Sequence, residues 1–319
     1  MMKKCWWIMI LLLMVSPMSG CRMKLVKVCG TNYPVTYLIE RIGQNYVEAC
    51  NLSSDDAIQV ATVSDTFLRD LDEAEVIFTI SSLEPYYPIY NEEFTKNSSK
   101  IIDLAHTSAI YKFERYTTTM VNNQELVIEG PYYEGSMFES IDTYDKDVIL
   151  WMDPISMMSM AKTVAKTLSD LYPENTKDFM KRYDELEVEL AMMDAEFQNI
   201  RRNSNRISFV SVTSSFGNWQ KSYGFSVYPL ILSKYGALPT DAQLEEICEQ
   251  IKNAGIKYIA HEENLNEDME ALFKKVQEKC NLTRIELNNI SSISKEQMKN
   301  NKNYMSLMYE NISSLEALK

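Results

Sequence analysis

The sequence predicts an α/β protein of two lobes, each with a mostly parallel sheet flanked by helices, joined by one long rigid helix. Short apolar strands alternate with helices in both halves of the chain, an order typical of parallel sheets that are covered on both faces. Between the halves, residues 174–203 carry apolar side chains at alternating steps of four and three, which predicts one apolar stripe along a helix. The stripe consists of Phe179, Tyr183, Leu186, Leu190, Met193, Phe197 and Ile200.

This long helix has three interpretations. It could be an ordinary amphipathic helix on a core, the seam of a dimeric coiled coil, or a spine between two lobes. So short a stripe argues against the coiled coil. At ~1.5 Å per residue the segment spans roughly 45 Å, and it lies between the two α/β halves. We therefore interpret it as an interdomain spine.

The first 20 residues are predicted to be a signal peptide. Lys3 and Lys4 precede an apolar run at 6–15 that is too short to cross a bilayer. Ser-Gly stands directly before Cys21, which resembles the lipobox of bacterial lipoproteins, where the cysteine becomes the lipidated first residue. The alternative is a plain secretory signal with an incidental cysteine. We expect a chain that is anchored by lipid at Cys21 on the extracellular face of the cell membrane.

Charge and cysteine content narrow the class of protein. The formal net charge is −13, and without a Lys/Arg cluster such a chain is a poor partner for nucleic acid. After Cys21 the cysteines are Cys29, Cys50, Cys248 and Cys280. Their wide spacing fits no zinc motif. Cys29 with Cys50 and Cys248 with Cys280 are the same-lobe disulfide candidates, and buried free thiols are the alternative.

The N-terminal lobe is predicted to span residues 21–152. Its strands are predicted at 25–30, 46–52, 75–80 and 100–104. Asn32 is expected to cap the first helix and Ser64 the second, because both precede apolar residues at helical spacing. Residues 116–121 and 125–129 flank an Asn-Asn pair, which indicates a hairpin.

A helical region is predicted over residues 153–205 and the C-terminal lobe over 206–319. Asp153 is a plausible N-cap, with Pro154 in the first turn. The spine at 174–203 follows a break at Tyr172-Pro173. In the C-terminal lobe, strands are predicted at 207–213, 227–232, 256–260 and 283–287, and helices at 238–254, 267–279 and 303–318.

Several short segments resemble the solute-binding lipoproteins of zinc- and manganese-type ABC importers. The segments are Thr31-Asn32-Tyr33-Pro34, Leu150-Trp151-Met152-Asp153-Pro154, Ser215-Phe216-Gly217-Asn218-Trp219 with Tyr223-Gly224, Ile259-Ala260-His261-Glu262, and Tyr304, Met308, Asn311 and Leu315. Their order along roughly residues 25–318 carries the resemblance more than any one of them does. It implies a monomer that binds a small solute or metal ion between its lobes, without catalysis, and delivers it to a permease and ATPase.

The resemblance also implies where a metal would bind. The family holds its ion with imidazoles and carboxylates from both lobes. Those positions fall on Ile58 (or Ala57), Ile149, Thr213 and Asn288 (or Asn289). Isoleucine cannot coordinate a cation, and Thr and Asn are weak neutral ligands, so the metal site is expected to be degenerate. Zinc or manganese is implied by the resemblance only, and no cofactor is predicted from the residues themselves.

Other side chains could rebuild a binding site in the cleft. The candidates are Asp56, Asp147, Thr213, Glu262 and Asn288. A set of hard carboxylates would favour calcium, magnesium or manganese over zinc, and the alternative is that these are solvated loop acids. Tyr86, Tyr87, Tyr132 and Tyr133 could line a cleft for an organic ligand. His106 and His261, the only histidines, lie on none of the family's ligand positions.

Two functions follow from these observations. The first is a lipid-anchored solute-binding component of a metal-type importer. The second is a surface interaction or scaffold lipoprotein that keeps the fold but does not transport. An enzyme is not expected, because the sequence has no nucleophile elbow, no phosphate loop and no His-centred dyad with sensible spacing.

Overall fold

The computed structural model describes residues 25–54, 56–122, 124–203 and 206–318. The strands are β1 (Val26–Gly30), β2 (Val47–Asn51), β3 (Val76–Thr79), β4 (Ile101–Asp103), β5 (Tyr111–Lys112), β6 (Arg115–Val121), β7 (Gln124–Gly130), β8 (Lys146–Asp147), β9 (Ser208–Ser211), β10 (Ser226–Pro229), β11 (Tyr258–His261) and β12 (Thr283–Glu286). The helices are α1 (Tyr33–Gly43), α2 (Phe67–Glu73), α3 (Asn91–Lys96), α4 (Ser136–Glu139), α5 (Pro154–Leu171), α6 (Thr176–Asn203), α7 (Gly217–Tyr223), α8 (Asp241–Asn253), α9 (Glu267–Cys280), α10 (Lys295–Lys299) and α11 (Tyr304–Glu316).

Two four-stranded parallel sheets organise the molecule, which confirms the predicted fold class. The first has the order β2-β1-β3-β4 and the second β10-β9-β11-β12. The predicted hairpin is also present, with β6 and β7 antiparallel and Tyr116 opposite Glu129. The proposed lobe boundaries remain a prediction.

The predicted signal peptide and the predicted lipidation site, Cys21, lie outside the described residues. Within the described ranges, no helix combines the length and the apolar character needed to cross a membrane.

Local sequence explains how the first sheet begins. The Asn32 side chain accepts a hydrogen bond from the backbone N–H of Val35 at 3.2 Å, as predicted for the cap of α1. In the parallel register of β1 and β2, Cys29 lies opposite Cys50, and the two form a disulfide. Cys248 and Cys280 are free and buried. The structure therefore contains one candidate disulfide and leaves the other pair reduced.

The predicted cap of the second helix is wrong. α2 begins at Phe67, and Ser64 contributes only its backbone carbonyl, which accepts from the Phe67 N–H at 3.1 Å. Thr66 precedes the helix without capping it, because its hydroxyl donates to the carboxylate of Asp70 instead. Side-chain competition of this kind is not visible in a residue pattern.

The long helix is present as α6, and its seven stripe residues are all buried. It begins at Thr176 rather than 174, because Pro173–Asn175 form a separate 3-10 turn. α6 contacts both halves of the chain. Toward the first, Arg41 of α1 donates to Glu189 at 2.7 Å, and toward the second, Tyr223 of α7 donates to Asp194 at 2.9 Å. Polar side chains of α6 as well as its apolar stripe thus hold the helix between the two halves of the chain.

Candidate functional site

The candidate site lies where strands of the second sheet end. Thr213 follows β9, Glu262 follows β11, and Asn289 comes shortly after β12. The carboxyl ends of parallel strands meet at one edge of a sheet, which is where ligands bind in open α/β folds. All three side chains are completely buried.

Glu262 is the centre of this site. Its Oε1 accepts from the backbone N–H groups of Val212 at 3.0 Å and Thr213 at 2.9 Å. Its Oε2 accepts from the Thr213 hydroxyl at 2.6 Å and from Asn289 Nδ2 at 2.7 Å. Burial raises the pKa of the Glu262 carboxyl, and the hydrogen bonds from Thr213 and Asn289 oppose that rise. Four donors thus converge on one carboxylate, so it has little capacity left for an external ligand.

Neutral side chains extend the network around Glu262. The hydroxyls of Thr213 and Ser215 lie 2.7 Å apart. Asn289 donates to Asn264 Oδ1 at 2.8 Å, and Asn264 in turn donates to Asn289 Oδ1 at 2.9 Å and to the Ser291 hydroxyl at 2.8 Å. Because each amide and hydroxyl here is already hydrogen-bonded within the chain, the site is polar but satisfied.

The two expected ligand positions in the first half of the chain are apolar. Ile58 and Ile149 are both buried. Next to Ile58, Gln59 donates to the Ser214 hydroxyl at 3.4 Å. On the other side, the backbone carbonyl of Ile149 accepts from Asn218 at 3.0 Å. The two halves of the chain therefore meet in direct hydrogen bonds around the candidate site.

Indole groups add to this contact. Trp151 donates from Nε1 to the carbonyl of Asn289 at 2.8 Å, and Trp219 donates to the carbonyl of Met152 at 2.7 Å. The carbonyl of Trp151 accepts from the hydroxyl of Tyr304 at 2.6 Å. Both indoles are completely buried. The segment 150–154, singled out in the sequence, thus joins the first half of the chain to α7, α11 and the loop after β12.

The side chains of the other cleft candidates bond to residues other than Glu262. Asp147 is buried, and its Oδ1 accepts from the Ile149 N–H at 3.3 Å. Burial raises the pKa of Asp147 to about 7. Its carboxylate packs closely on Gly217, where a Cβ would lie 2.1 Å from Oδ2. Asp56 accepts from the hydroxyl of Ser54 at 2.8 Å.

Of the two neighbouring asparagines, Asn289 and not Asn288 contacts Glu262. The Asn288 side chain accepts from the Ile290 N–H at 2.7 Å, and its backbone bonds to Asn311 of α11. Asn288 therefore shapes the turn after β12. The sequence did not point to Gln59 or Asn264. Their only signal is position, because Gln59 follows the expected ligand position Ile58 and Asn264 lies two residues after Glu262.

The donor set does not fit zinc. Among the described residues, no three His, Cys, Asp or Glu side chains are grouped so that they could hold a metal ion. Zinc sites need imidazole, thiolate or carboxylate ligands at about 2.0–2.3 Å. At the four expected positions the structure has Ile58, Ile149, Thr213 and the amide of Asn289. His261 faces elsewhere, with its ring nitrogens 2.9 Å from Glu270 and 3.2 Å from Glu286.

Two grooves contain the tyrosines named from the sequence. Tyr87 lines a groove of about 570 Å³ together with Glu84, Tyr144, Lys234 and Tyr235. Tyr132 and Tyr133 line another of about 340 Å³. Tyr86 lines neither of these two grooves and instead donates to the carbonyl of Thr31 at 2.8 Å. Neither of these two grooves is lined by Glu262, Thr213 or Asn289.

The chain resembles known proteins along most of its length. Residues 28–318 match the family described as ZnuA, zinc-uptake complex component A, periplasmic. The chain is 25% identical over 188 residues to the zinc-binding lipoprotein AdcA of Streptococcus pneumoniae, which covers 59% of this chain and 36% of AdcA. It therefore spans little more than a third of the length of that relative.

Solved structures show the same fold. A Zn(II)-bound variant of AdcAII from Streptococcus pneumoniae has a TM-score of 0.71 at 19% identity, covering 93% of this chain and 99% of that chain. The periplasmic zinc-binding protein TroA of Treponema pallidum has a TM-score of 0.70 at 19% identity, covering 92% and 98%. At such identities the likeness concerns the fold alone.

Proposed function

Because the chain belongs to the family of zinc-uptake complex component A, we propose that it is the extracellular solute-binding component of an ABC importer. It would be anchored to the cell membrane through lipid on Cys21 and would work as a monomer with a permease and an ATPase. The family match and the relative named as a zinc-binding lipoprotein support this role. In this role it binds a solute between its lobes and catalyses no reaction.

The second part of the proposal is that the chain does not bind zinc here through four ligands. The hydrogen-bond network around Glu262 supports this part. Zinc requires lone pairs that are free to face the ion. The Thr213 hydroxyl and the Asn289 amide instead hydrogen-bond to Glu262, and Ile58 and Ile149 offer no lone pairs at all. The metal site is degenerate, and direct contacts between the lobes occupy its place.

Thermal shift and metal analysis of the purified mature chain test this proposal. We expect the protein to purify without stoichiometric zinc, and its melting temperature to stay constant within about 1 °C with micromolar zinc, manganese or calcium. A ligand at 100 times its Kd would stabilise the fold by about 2.7 kcal/mol, which is a shift of several degrees. Micromolar stabilisation by zinc that a chelator reverses would refute the degenerate site.

Two variants make the test specific. Restoring ligands with Ile58→His, Ile149→His, Thr213→His and Asn289→Asp in one chain is expected to create zinc-dependent stabilisation, since the resemblance places the family's four ligands at these positions. His261→Ala is the matched control for zinc bound at the surface, because this histidine lies next to Glu270 and Glu286. If zinc stabilises the wild type but not His261→Ala, the effect belongs to that surface group.

The second candidate function is a surface interaction or scaffold lipoprotein on the same fold. The observation in its favour is that hydrogen bonds such as Gln59 to Ser214 and Trp151 to Asn289 join the two halves of the chain directly. Deleting the gene distinguishes the two. An importer component is expected to change the cellular content of its metal or the uptake of its solute, whereas a scaffold protein is expected to leave the cellular zinc and manganese unchanged.

A further inference from the structure

Two cysteines outside the candidate site lie together in the second half of the chain. Cys248 is in α8, and Cys280 is the last residue of α9. They are 1% and 9% exposed. Both belong to the same apolar cluster, which also includes Ile251 and Val276. Neither thiol takes part in the proposed function.

Ion pairs set the register of the two helices. Lys275 of α9 bonds to Asp241 of α8 at 2.8 Å. One turn further along both helices, Lys279 pairs with Glu245. Cys280 directly follows Lys279, and Cys248 lies three residues after Glu245, on the next turn of the same face. The packing of α8 on α9 therefore brings the two sulfurs toward each other.

The electrostatics of the pair agree with this geometry. A hydrogen bond from Cys280 lowers the pKa of the Cys248 thiol, burial opposes this change, and Lys279 and Lys252 act in the same direction as the hydrogen bond. The pKa of Cys280 is raised, because it donates to its neighbour and is buried. The hydrogen bond and the two lysines favour the thiolate on Cys248 over that on Cys280, which makes Cys248 the nucleophile of the pair.

The compartment of the protein is indicated by the other cysteine pair. Cys29 and Cys50 form a disulfide between neighbouring strands, and disulfides persist in oxidising environments. Cys248 and Cys280 belong to the same chain and therefore meet the same oxidising conditions.

We propose that Cys248 and Cys280 form a second disulfide, which links α8 to α9 when the protein meets hydrogen peroxide. The Cys248 thiolate attacks one peroxide oxygen, so that an S–O bond forms, the O–O bond breaks and the first water leaves after protonation. The Cys280 sulfur then attacks the resulting sulfenic acid, an S–S bond forms, the S–O bond breaks and a second water leaves. Two thiols lose two hydrogens, and the peroxide is reduced to two waters. This proposal does not depend on the ligand of the cleft.

The test is a disulfide map of the mature chain after oxidation. The folded protein, prepared with both thiols free, is treated with hydrogen peroxide, blocked with an alkylating reagent, digested without reductant and analysed by mass spectrometry. We expect a linked peptide pair that contains Cys248 and Cys280 and lacks two hydrogens, beside the Cys29–Cys50 pair. Alkylation of both cysteines after oxidation, or sulfinic acid on Cys248 without a link, would overturn the proposal.

Single variants separate cross-linking from other oxidation. Oxidation of the wild type is expected to raise its melting temperature by on the order of 5–10 °C, because the bond constrains the unfolded chain. Cys248→Ala and Cys280→Ala, each checked for folding by circular dichroism, are expected to show no such rise. A rise of the same size in Cys280→Ala would show that the pair is not its cause.

Discussion

Replacing Glu262 with alanine should destabilise the protein more than a replacement one residue away. Glu262 accepts hydrogen bonds from two backbone N–H groups, from the Thr213 hydroxyl and from Asn289 Nδ2. In Glu262→Ala the hydroxyl of Thr213 retains Ser215 at 2.7 Å as a partner. Three buried N–H donors lose their acceptor: the backbone N–H groups of Val212 and Thr213, and one N–H of Asn289 Nδ2, whose other N–H bonds to Asn264. An unpaired buried donor costs about 1–3 kcal/mol, so three of them cost at least about 3 kcal/mol before water enters the space.

Removing the buried charge offsets part of that loss, since burial disfavours the ionised carboxyl. We therefore expect a net destabilisation of about 3 kcal/mol, seen as a fall of roughly 5–10 °C in melting temperature. Glu263→Ala is the matched control, because Glu263 is exposed and accepts one hydrogen bond, from Gln297 at 2.6 Å. Equal melting temperatures for the two variants would refute the argument that the Glu262 network holds the second sheet's edge in place.

Three further predictions concern the spine, a helix cap and a buried acid, each read from the melting temperature. Leu190→Ala truncates a completely buried stripe residue of α6 and should lower the free energy of unfolding by about 2–5 kcal/mol. Val188→Ala, at a position 60% exposed on the same helix, should change it by less than about 0.5 kcal/mol. Similar losses in the two variants would mean that the stripe is not packed. Asp153→Ala removes the carboxylate that accepts from the Ile155 N–H at 3.4 Å and from the Ser156 hydroxyl at 2.8 Å, and should cost about 1–2 kcal/mol; an unchanged melting temperature would contradict its role as the cap of α5. Burial raises the pKa of Asp147 from 3.8 to about 7 on folding. The folded state therefore keeps a proton that the unfolded state releases at lower pH, and the stability that this group supplies is lost as the pH rises through about 7. Asp147→Asn, neutral at every pH, should become more stable relative to the wild type between pH 5 and pH 8, and a constant difference between their melting temperatures would exclude this linkage.

Local patterns in the sequence were sufficient for the architecture. The seven apolar residues of the spine are all buried in α6, because a stripe at helical spacing can be removed from water on one side only. Asn32 and Asp153 cap α1 and α5 as predicted, since a cap acts over three residues. The second cap failed where a side chain had a competing partner: Thr66 bonds to Asp70, and Ser64 does not cap α2.

The candidate site depended on contacts that no local pattern contains. The sequence by itself determined that ordinary metal ligands are missing at the family's positions, because Ile58 and Ile149 have no lone pairs to offer. Only the tertiary structure decided that Asn289 rather than Asn288 bonds to Glu262, that Gln59 meets Ser214, and that Cys29 pairs with Cys50. Each of these contacts depends on strand register and on the packing of segments that are distant in sequence. The free energy that stabilises them comes from the packing of the whole fold.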